Sequence, residues 1–244
     1  MKIIPLSEGS FTIDATKDFI AFNSDTDQLN ERPAGSLLVE IQPFAVITGS
    51  DIILFDTGLG FTIKDEMQLH TNLRKNNIDP SSVTKVFLSH LHKDHGGGIS
   101  KKNADGSMAL TFPNATYYVH EKEIEFAFNK GEPSYVSTHF SILVNNRQLS
   151  KLQGSSGKVG NVTFEVSGGH CPYHTVYWIT EQSEIAFFGG DVAPQLQQMK
   201  HKFVAKYDSD GKLSMELRAK WWVQAKQEGW VIMFYHDIKT PFYP

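Results

Sequence analysis

Short apolar runs alternate with stretches of helical period along the chain, and Gly and Pro fall between them as punctuation. Ser36–Ile41 and Phe44–Thr48 read as strands, and the turn "TGSD" leads into the apolar run Ile52–Phe55, which ends at Asp56-Thr57-Gly58. Lys64–Asn76 has the helical period, with Met67, His70 and Leu73 on one stripe. Asp79-Pro80-Ser81 then breaks the chain ahead of a short buried strand, Lys85–Leu88. Thr116–Val119 reads as a strand and Glu121–Phe128 as a helix, while residues 129–156 read as a helical insert or lid. Val162–Val166 is the next strand, Val176–Thr180 and Ile185–Phe188 form a hairpin around "EQSE", and Val231–Tyr235 is the last strand. Before it, Ser214–Glu228 is a helix, with Leu217, Trp221 and Ala225 at spacing four and Gly229 as its stop. Strands alternating with helices imply an α/β fold. No repeat or linker-like stretch divides the chain, so residues 1–244 are expected to form one domain.

The ends of these strands carry the chemistry. Asp56 follows "IILF", His90 follows "VFLS", His170 follows "VTFEVSGG", Asp191 follows "IAFFGG" and His236 follows "VIMFY". Polar, metal-competent residues thus gather at the carboxyl ends of strands, the rim where α/β folds bind ligands. The densest point is Ser89–Gly98, "SHLHKDHGGG". In extended chain His90 and His92 project to the same side, so their imidazoles can share one ion at about 2.0–2.1 Å. Asp94 and His95 come a step later, where glycines let the backbone turn, and can serve a neighbouring ion; paired ions sit roughly 3.5–4 Å apart. His170 is expected to supply a further nitrogen, Asp191 a bridging carboxylate and His236 a late ligand. Asp56 and His174 are expected to act one layer out, Asp56 by accepting the outer N–H of a ligand imidazole and fixing its tautomer. The single cysteine, Cys171, reads as a small buried thiol and excludes both an internal disulfide framework and multi-cysteine zinc sites.

Composition narrows the partners. Hydrophobic residues make up 40% of the chain and aromatic ones 12%, enough for a proper core, and the net charge of −4 is well mixed. No basic face suggests nucleic acid, and no apolar stretch suits a signal peptide or a membrane span, so the expected setting is cytoplasmic. The expected partner is a small-molecule substrate, with the protein a monomer or homodimer.

Taken in order, "FDTG", "HLHKDH", "GGHCPYH", "GGD" and "FYHD" resemble the metallo-β-lactamase superfamily of metal-dependent hydrolases. The resemblance implies a four-layer αβ/βα sandwich with its site on one edge between two sheets. It implies that His90, His92 and His170 hold a first ion, that Asp94, His95 and His236 hold a second, and that Asp191 bridges them. The ions would be two divalent metals, zinc first, with iron, manganese or cobalt as alternatives. The third motif departs from the usual G-H-T-P-G-H, with Cys171 and Tyr173 at the variable places, which bears on pocket shape. No role carries over to His120 or to Tyr117 and Tyr118. The short tail after His236 disfavours glyoxalase II-like thioesterases, and His92 stands where flavodiiron oxygen reductases have glutamate. RNase Z-like nucleases favour a basic exosite, and zinc β-lactamases usually carry cysteine in place of Asp191. The tail is most similar to quorum-quenching lactonases and their phosphotriesterase-like neighbours.

The implied reaction is opening of an ester or lactone, such as an acyl-homoserine lactone, by a bridging hydroxide that Asp94 orients and whose proton it carries. Phe22, Phe61 and Tyr173 are expected to wall the substrate pocket. Alternatives are a phosphotriesterase, arylesterase or thioesterase of the same fold, a mononuclear-iron persulfide dioxygenase, and a non-enzymatic metal-binding protein.

Overall fold

The computed structural model describes residues 1–103 and 105–244. Two six-stranded sheets occupy its centre. The first runs Lys2–Pro5, Phe44–Ile47, Ile52–Phe55, Lys85–Phe87, Thr116–His120, Leu149–Leu152, parallel from Ile52–Phe55 onward. The second runs Ser156–Val159, Val162–Val166, Thr175–Glu181, Glu184–Phe188, Trp230–Met233, Phe242–Tyr243. It is antiparallel except where Glu184–Phe188 meets Trp230–Met233.

Strand periodicity explains why the sheets stack. Phe44, Val46, Ile53, Phe55 and Phe87 of the first sheet share one buried cluster with Phe164, Tyr177, Ile179 and Phe188 of the second. The intervening positions, Ala45, Leu54 and Val86, turn outward and pack with Leu69, Leu73, Ile124 and Phe140 from helices Gln68–Lys75, Glu121–Lys130 and Ser137–Val144. On the far side, Phe187 and Ile232 pack with Trp221 and Ala225 of helix Gly211–Glu228 and with Leu196 of helix Leu196–Lys200. Strands buried on both faces read as unbroken apolar runs. The result is the αβ/βα sandwich that the motifs imply. Each fully buried Phe between the sheets contributes about 1.5–3 kcal/mol, so this shared layer holds the two halves together.

Several local expectations differ from the structure. The helix placed at Lys64–Asn76 begins only at Gln68, because Lys64 and Asp65 take left-handed φ values of 51° and 64° in a hairpin between Thr62–Ile63 and Glu66–Met67. The 129–156 segment is no separate insert. Its helix, Ser137–Val144, buries Phe140 and Leu143 in the core, and Leu149–Leu152 is the parallel edge strand of the first sheet. The last long strand stops at Met233, leaving Tyr235 and His236 in the following loop. The expected strand at Ser36–Ile41 forms as Leu37–Ile41, but it joins two unanticipated strands, Gly9–Ile13 and Phe19–Phe22, in a small sheet whose Phe11, Val39 and Ile41 join the layer between the sheets. Helix Gly211–Glu228 starts three residues earlier than its apolar stripe suggests: Asp210 caps it by accepting from Leu213 N–H at 2.9 Å, and Gly229 closes it at φ 68°.

Candidate metal centre

The loops after five strand ends converge on one edge of the sandwich. The strand ends at Phe87, Ser89 lies in a bend, and the chain then enters a single helical turn, Lys93–Gly96, with His92 at its start. That change of backbone divides the motif. His90 and His92 precede the turn, whereas Asp94 and His95 ride on it and join a different set of donors.

Two groups of donor atoms result. His90, His92, His170 and Asp191 form one, and Asp94, His95, Asp191 and His236 form the other. In the first, His92 Nδ1 lies 2.9 Å from His90 Nε2 and 3.0 Å from His170 Nε2. In the second, Asp191 Oδ1 lies 3.0 Å from both His95 Nε2 and His236 Nε2, with Asp94 Oδ2 at 3.6 and 3.5 Å from the same nitrogens. The other oxygen of Asp191, Oδ2, is 3.2 Å from His170 Nε2. One carboxylate therefore presents an oxygen to each group.

Outer hydrogen bonds settle which nitrogens face inward. His95 Nδ1 donates to Asp56 Oδ2 at 2.7 Å, His170 Nδ1 to Asp208 Oδ1 at 2.9 Å, and His236 Nδ1 to the Glu40 carbonyl at 2.7 Å. His90 Nδ1 donates to Ser89 Oγ at 3.0 Å, and that hydroxyl donates to Asp56 at 2.7 Å. In neutral rings so oriented, each Nε2 presents only a lone pair to its neighbours. Lone pairs about 3 Å apart and buried repel one another unless a cation sits between them. His95 Nε2 and Asp191 Oδ1 are buried and without a hydrogen-bond partner among the described residues, and either a proton on the ring or a metal cation between them relieves their contact. Imidazole and carboxylate donors in these numbers suit divalent ions, so the residues present fit a two-metal centre.

Electrostatics differ between the groups. Burial, with the neighbouring imidazoles, holds His90 and His92 well below the ordinary histidine range. Burial also opposes charge on His95 and His236, yet the carboxylates of Asp191 and Asp94 raise both. Burial likewise opposes charge on Asp191, but His95, His236 and His170 keep its carboxyl well below the usual range. With no metal bound, the second group thus favours a protonated imidazole, whereas His90 and His92 favour the neutral form.

Asp56 is wholly buried and takes a left-handed φ of 57°, a conformation that costs a non-glycine residue roughly 1–2 kcal/mol. The bend lets its carboxylate accept from Ser89 N–H, Ser89 Oγ and His95 Nδ1 at once. His174 lies in neither donor group. Its Nε2 accepts the Asp191 N–H at 3.1 Å and its Nδ1 bonds Ser167 Oγ at 3.0 Å, so it holds the backbone of the shared carboxylate. Cys171 is buried and 3.7 Å from Glu123 Oε2, outside both groups.

The glycine run serves close packing rather than turning: Gly97 and Gly98 have ordinary backbone angles in a 3-10 turn. A Cβ at Gly98 would overlap the Thr57 carbonyl oxygen, and one at Gly97 that of Leu59. The "DTGLG" and "HGGG" segments therefore lie backbone against backbone, tied by Thr57 N–H and Oγ to the His95 carbonyl at 2.8 and 2.9 Å.

The centre forms the floor of a cavity of about 490 Å³. Its walls are not the expected ones. Phe61 packs edge-on against Phe11 at 5.2 Å, Tyr173 stacks on His120 at 6.1 Å, and Phe22 lies outside the lining. Ile13, Phe19 and Leu38 of the small sheet face Phe126, Phe203 and Tyr207 instead. His120 is occupied structurally, bonding the Gly154 carbonyl at 3.0 Å, and Tyr117 accepts the Phe112 N–H at 2.9 Å. Sequence reasoning missed Asp208, 38 residues from His170, because a lone loop aspartate carries no periodic signal. It also missed Glu123, though Glu123, Ile124 and Ala127 share the buried face of one helix, where a carboxylate stands out.

Among the described residues, no helix is long and apolar enough to cross a membrane. Comparison with known proteins agrees with the fold. A probable metal-dependent hydrolase from Staphylococcus aureus superposes with a TM-score of 0.80 at 20% identity, covering 99% of this chain and 91% of its own. AidC, a dizinc quorum-quenching lactonase with a bound homoserine product, gives 0.71 at 21% identity over 98% of this chain and 88% of its own. The N-acyl homoserine lactonase AttM of Azorhizobium caulinodans is 45% identical over 51 residues, which span 21% of this chain and 16% of that protein's length. The profile of the metallo-beta-lactamase superfamily matches residues 39–221, and the chain belongs to that superfamily.

Proposed function

We propose that the protein is a dinuclear-metal hydrolase that opens an ester or lactone bond, with N-acyl homoserine lactones as the first substrates to test. The observation that carries this reading is the pair of donor groups sharing Asp191 at the floor of an apolar-walled cavity. Two divalent ions bound there would bring the pKa of a shared water towards about 7 and polarise the scissile carbonyl. His90, His92 and His170 would hold one ion, Asp94, His95 and His236 the other, and Asp191 both. Zinc suits this donor set, as do iron, manganese and cobalt.

The chain's own groups do the rest. Asp94 lies at the rim of the second group and lines the cavity, so its free oxygen can orient the attacking water and pass its proton to the leaving alkoxide. Asp56, Asp208 and the Glu40 carbonyl hold the imidazole tautomers, and the apolar walls exclude water and take up the acyl part of a substrate. The complete second group favours this reading over a mononuclear dioxygenase. Similarity to homoserine lactonases in fold and in a short stretch of sequence supports the lactone class.

The test is a panel of metal-reconstituted reactions on acyl-homoserine lactones, aryl esters, phosphotriesters and thioesters. Lactone or ester turnover that requires metal is the expected result. Oxygen uptake with a persulfide substrate, and no hydrolysis, would sink the proposal.

A further inference from the structure

Glu123 is wholly buried on helix Glu121–Lys130, behind the His90–His92 loop and outside both donor groups. Its Oε1 accepts the N–H of Leu91, the residue between the two imidazoles, at 2.9 Å. Its Oε2 receives the S–H of Cys171, the neighbour of His170, at a sulfur–oxygen distance of 3.7 Å. Tyr135 completes the arrangement: its phenol is buried beside Glu123 and Cys171, and its ring packs on His92 with centroids 4.5 Å apart. Three segments that carry or abut the first donor group therefore meet at one carboxyl group. Leu91 and Cys171 are far apart in sequence, and among the described residues no strand pairing joins their loops. A carboxyl so deeply buried is costly unless its oxygens are engaged, which makes this junction intolerant of slack.

We infer that Glu123 is a positioning residue: by holding Leu91 N–H and Cys171 S–H on one carboxyl group it sets the separation of the His90–His92 loop from His170, and with it the affinity of that group for an ion. The inference rests on the reading that both donor groups hold divalent ions. Leu91, Cys171 and Tyr135 lie in or against the segments that carry first-group donors, so the effect is expected on the first.

Metal-free wild type, Glu123→Gln and Glu123→Ala are titrated with cobalt(II). Bound ions are counted by elemental analysis, and the two binding steps are followed by visible absorption. His92→Ala and His236→Ala identify which step belongs to which group. Glu123→Ala is expected to weaken the first-group step roughly 10–100-fold and leave the other unchanged. Glu123→Gln keeps an acceptor for Leu91 N–H but not for Cys171, and should fall between. Equal weakening of both steps with a lowered melting temperature would mean support of the fold only and would overturn the inference, as would an unchanged first step. Should Glu123→Ala not fold, Glu123→Gln decides: a weaker first step at the wild-type melting temperature supports the role, and an unaltered step overturns it. Two ions bound alike by wild type and variants overturn the positioning role alone. A wild type that takes up no ion overturns the metal reading with it.

Discussion

The two donor groups draw on one short motif and share Asp191, yet their surroundings are opposite in kind. His90, His92 and His170 offer nitrogens only, and burial keeps His90 and His92 short of protons. The other group sets His95 and His236 among the carboxylates of Asp94 and Asp191, which raise the proton affinity of both rings. The outer supports differ as well. Asp208 and the Glu123 junction brace the first group, while Tyr235, which stacks on His95 at 4.0 Å and donates to the Asp94 carbonyl, braces the second; Asp56 holds His95 directly and reaches His90 only through Ser89. A single motif can thus build two electrostatically distinct positions, because one helical turn sends its halves to different neighbours.

Removing the shared element should erase the difference. Asp191→Ala is expected to lower bound metal at both groups and to cut turnover about a thousandfold, since each ion contributes several kcal/mol of charge stabilisation. Elemental analysis beside steady-state rates checks this, and unchanged turnover would remove Asp191 from the centre. Next in size are two mirrored substitutions. Asp208→Asn should weaken the first group roughly 10–100-fold and spare the second, while Asp56→Asn should weaken the second by a similar factor through His95 and the first to a lesser degree through Ser89 and His90. Stepwise metal titration reads both, and identical profiles for the two variants would erase the asymmetry.

The pH response should sharpen the contrast. A raised histidine pKa means the metal-free second group carries a proton through neutrality, which an incoming ion must displace. Its affinity should therefore fall by roughly tenfold per unit as pH drops below that pKa. His90 and His92, already neutral, give up no proton to an incoming ion and add no such pH dependence. Proton release during metal titration in weak buffer measures the difference. The smallest effect is expected at Gly98→Ala, where a methyl group meets the Thr57 carbonyl. A loss of about 1–3 kcal/mol in stability, read by thermal or denaturant unfolding, should come with a second-group affinity that shifts more than the first.

Much of the centre was legible because its cues are local. His90, His92, Asp94 and His95 announce themselves within one loop, and Asp56, His170, Asp191 and His236 each follow an apolar run. Strand ends can be read from a few residues, and strands buried on both faces leave unbroken apolar stretches. The cavity walls were not legible. Phe22, Phe61 and Tyr173 were expected as walls, but Ile13, Phe19 and Leu38 of the small amino-terminal sheet, of which only the strand at Leu37–Ile41 was anticipated, and the Phe203–Tyr207 loop supply them. The braces Asp208 and Glu123 likewise act across long sequence separations.

The sequence by itself determined the donor types, their order and their place at strand ends, because backbone period and local burial are encoded residue by residue. Only the tertiary structure decided which donors stand together, which ring nitrogen faces inward and what encloses the cavity. Those depend on how two sheets stack and on hydrogen bonds between segments far apart in the chain, which no local pattern records.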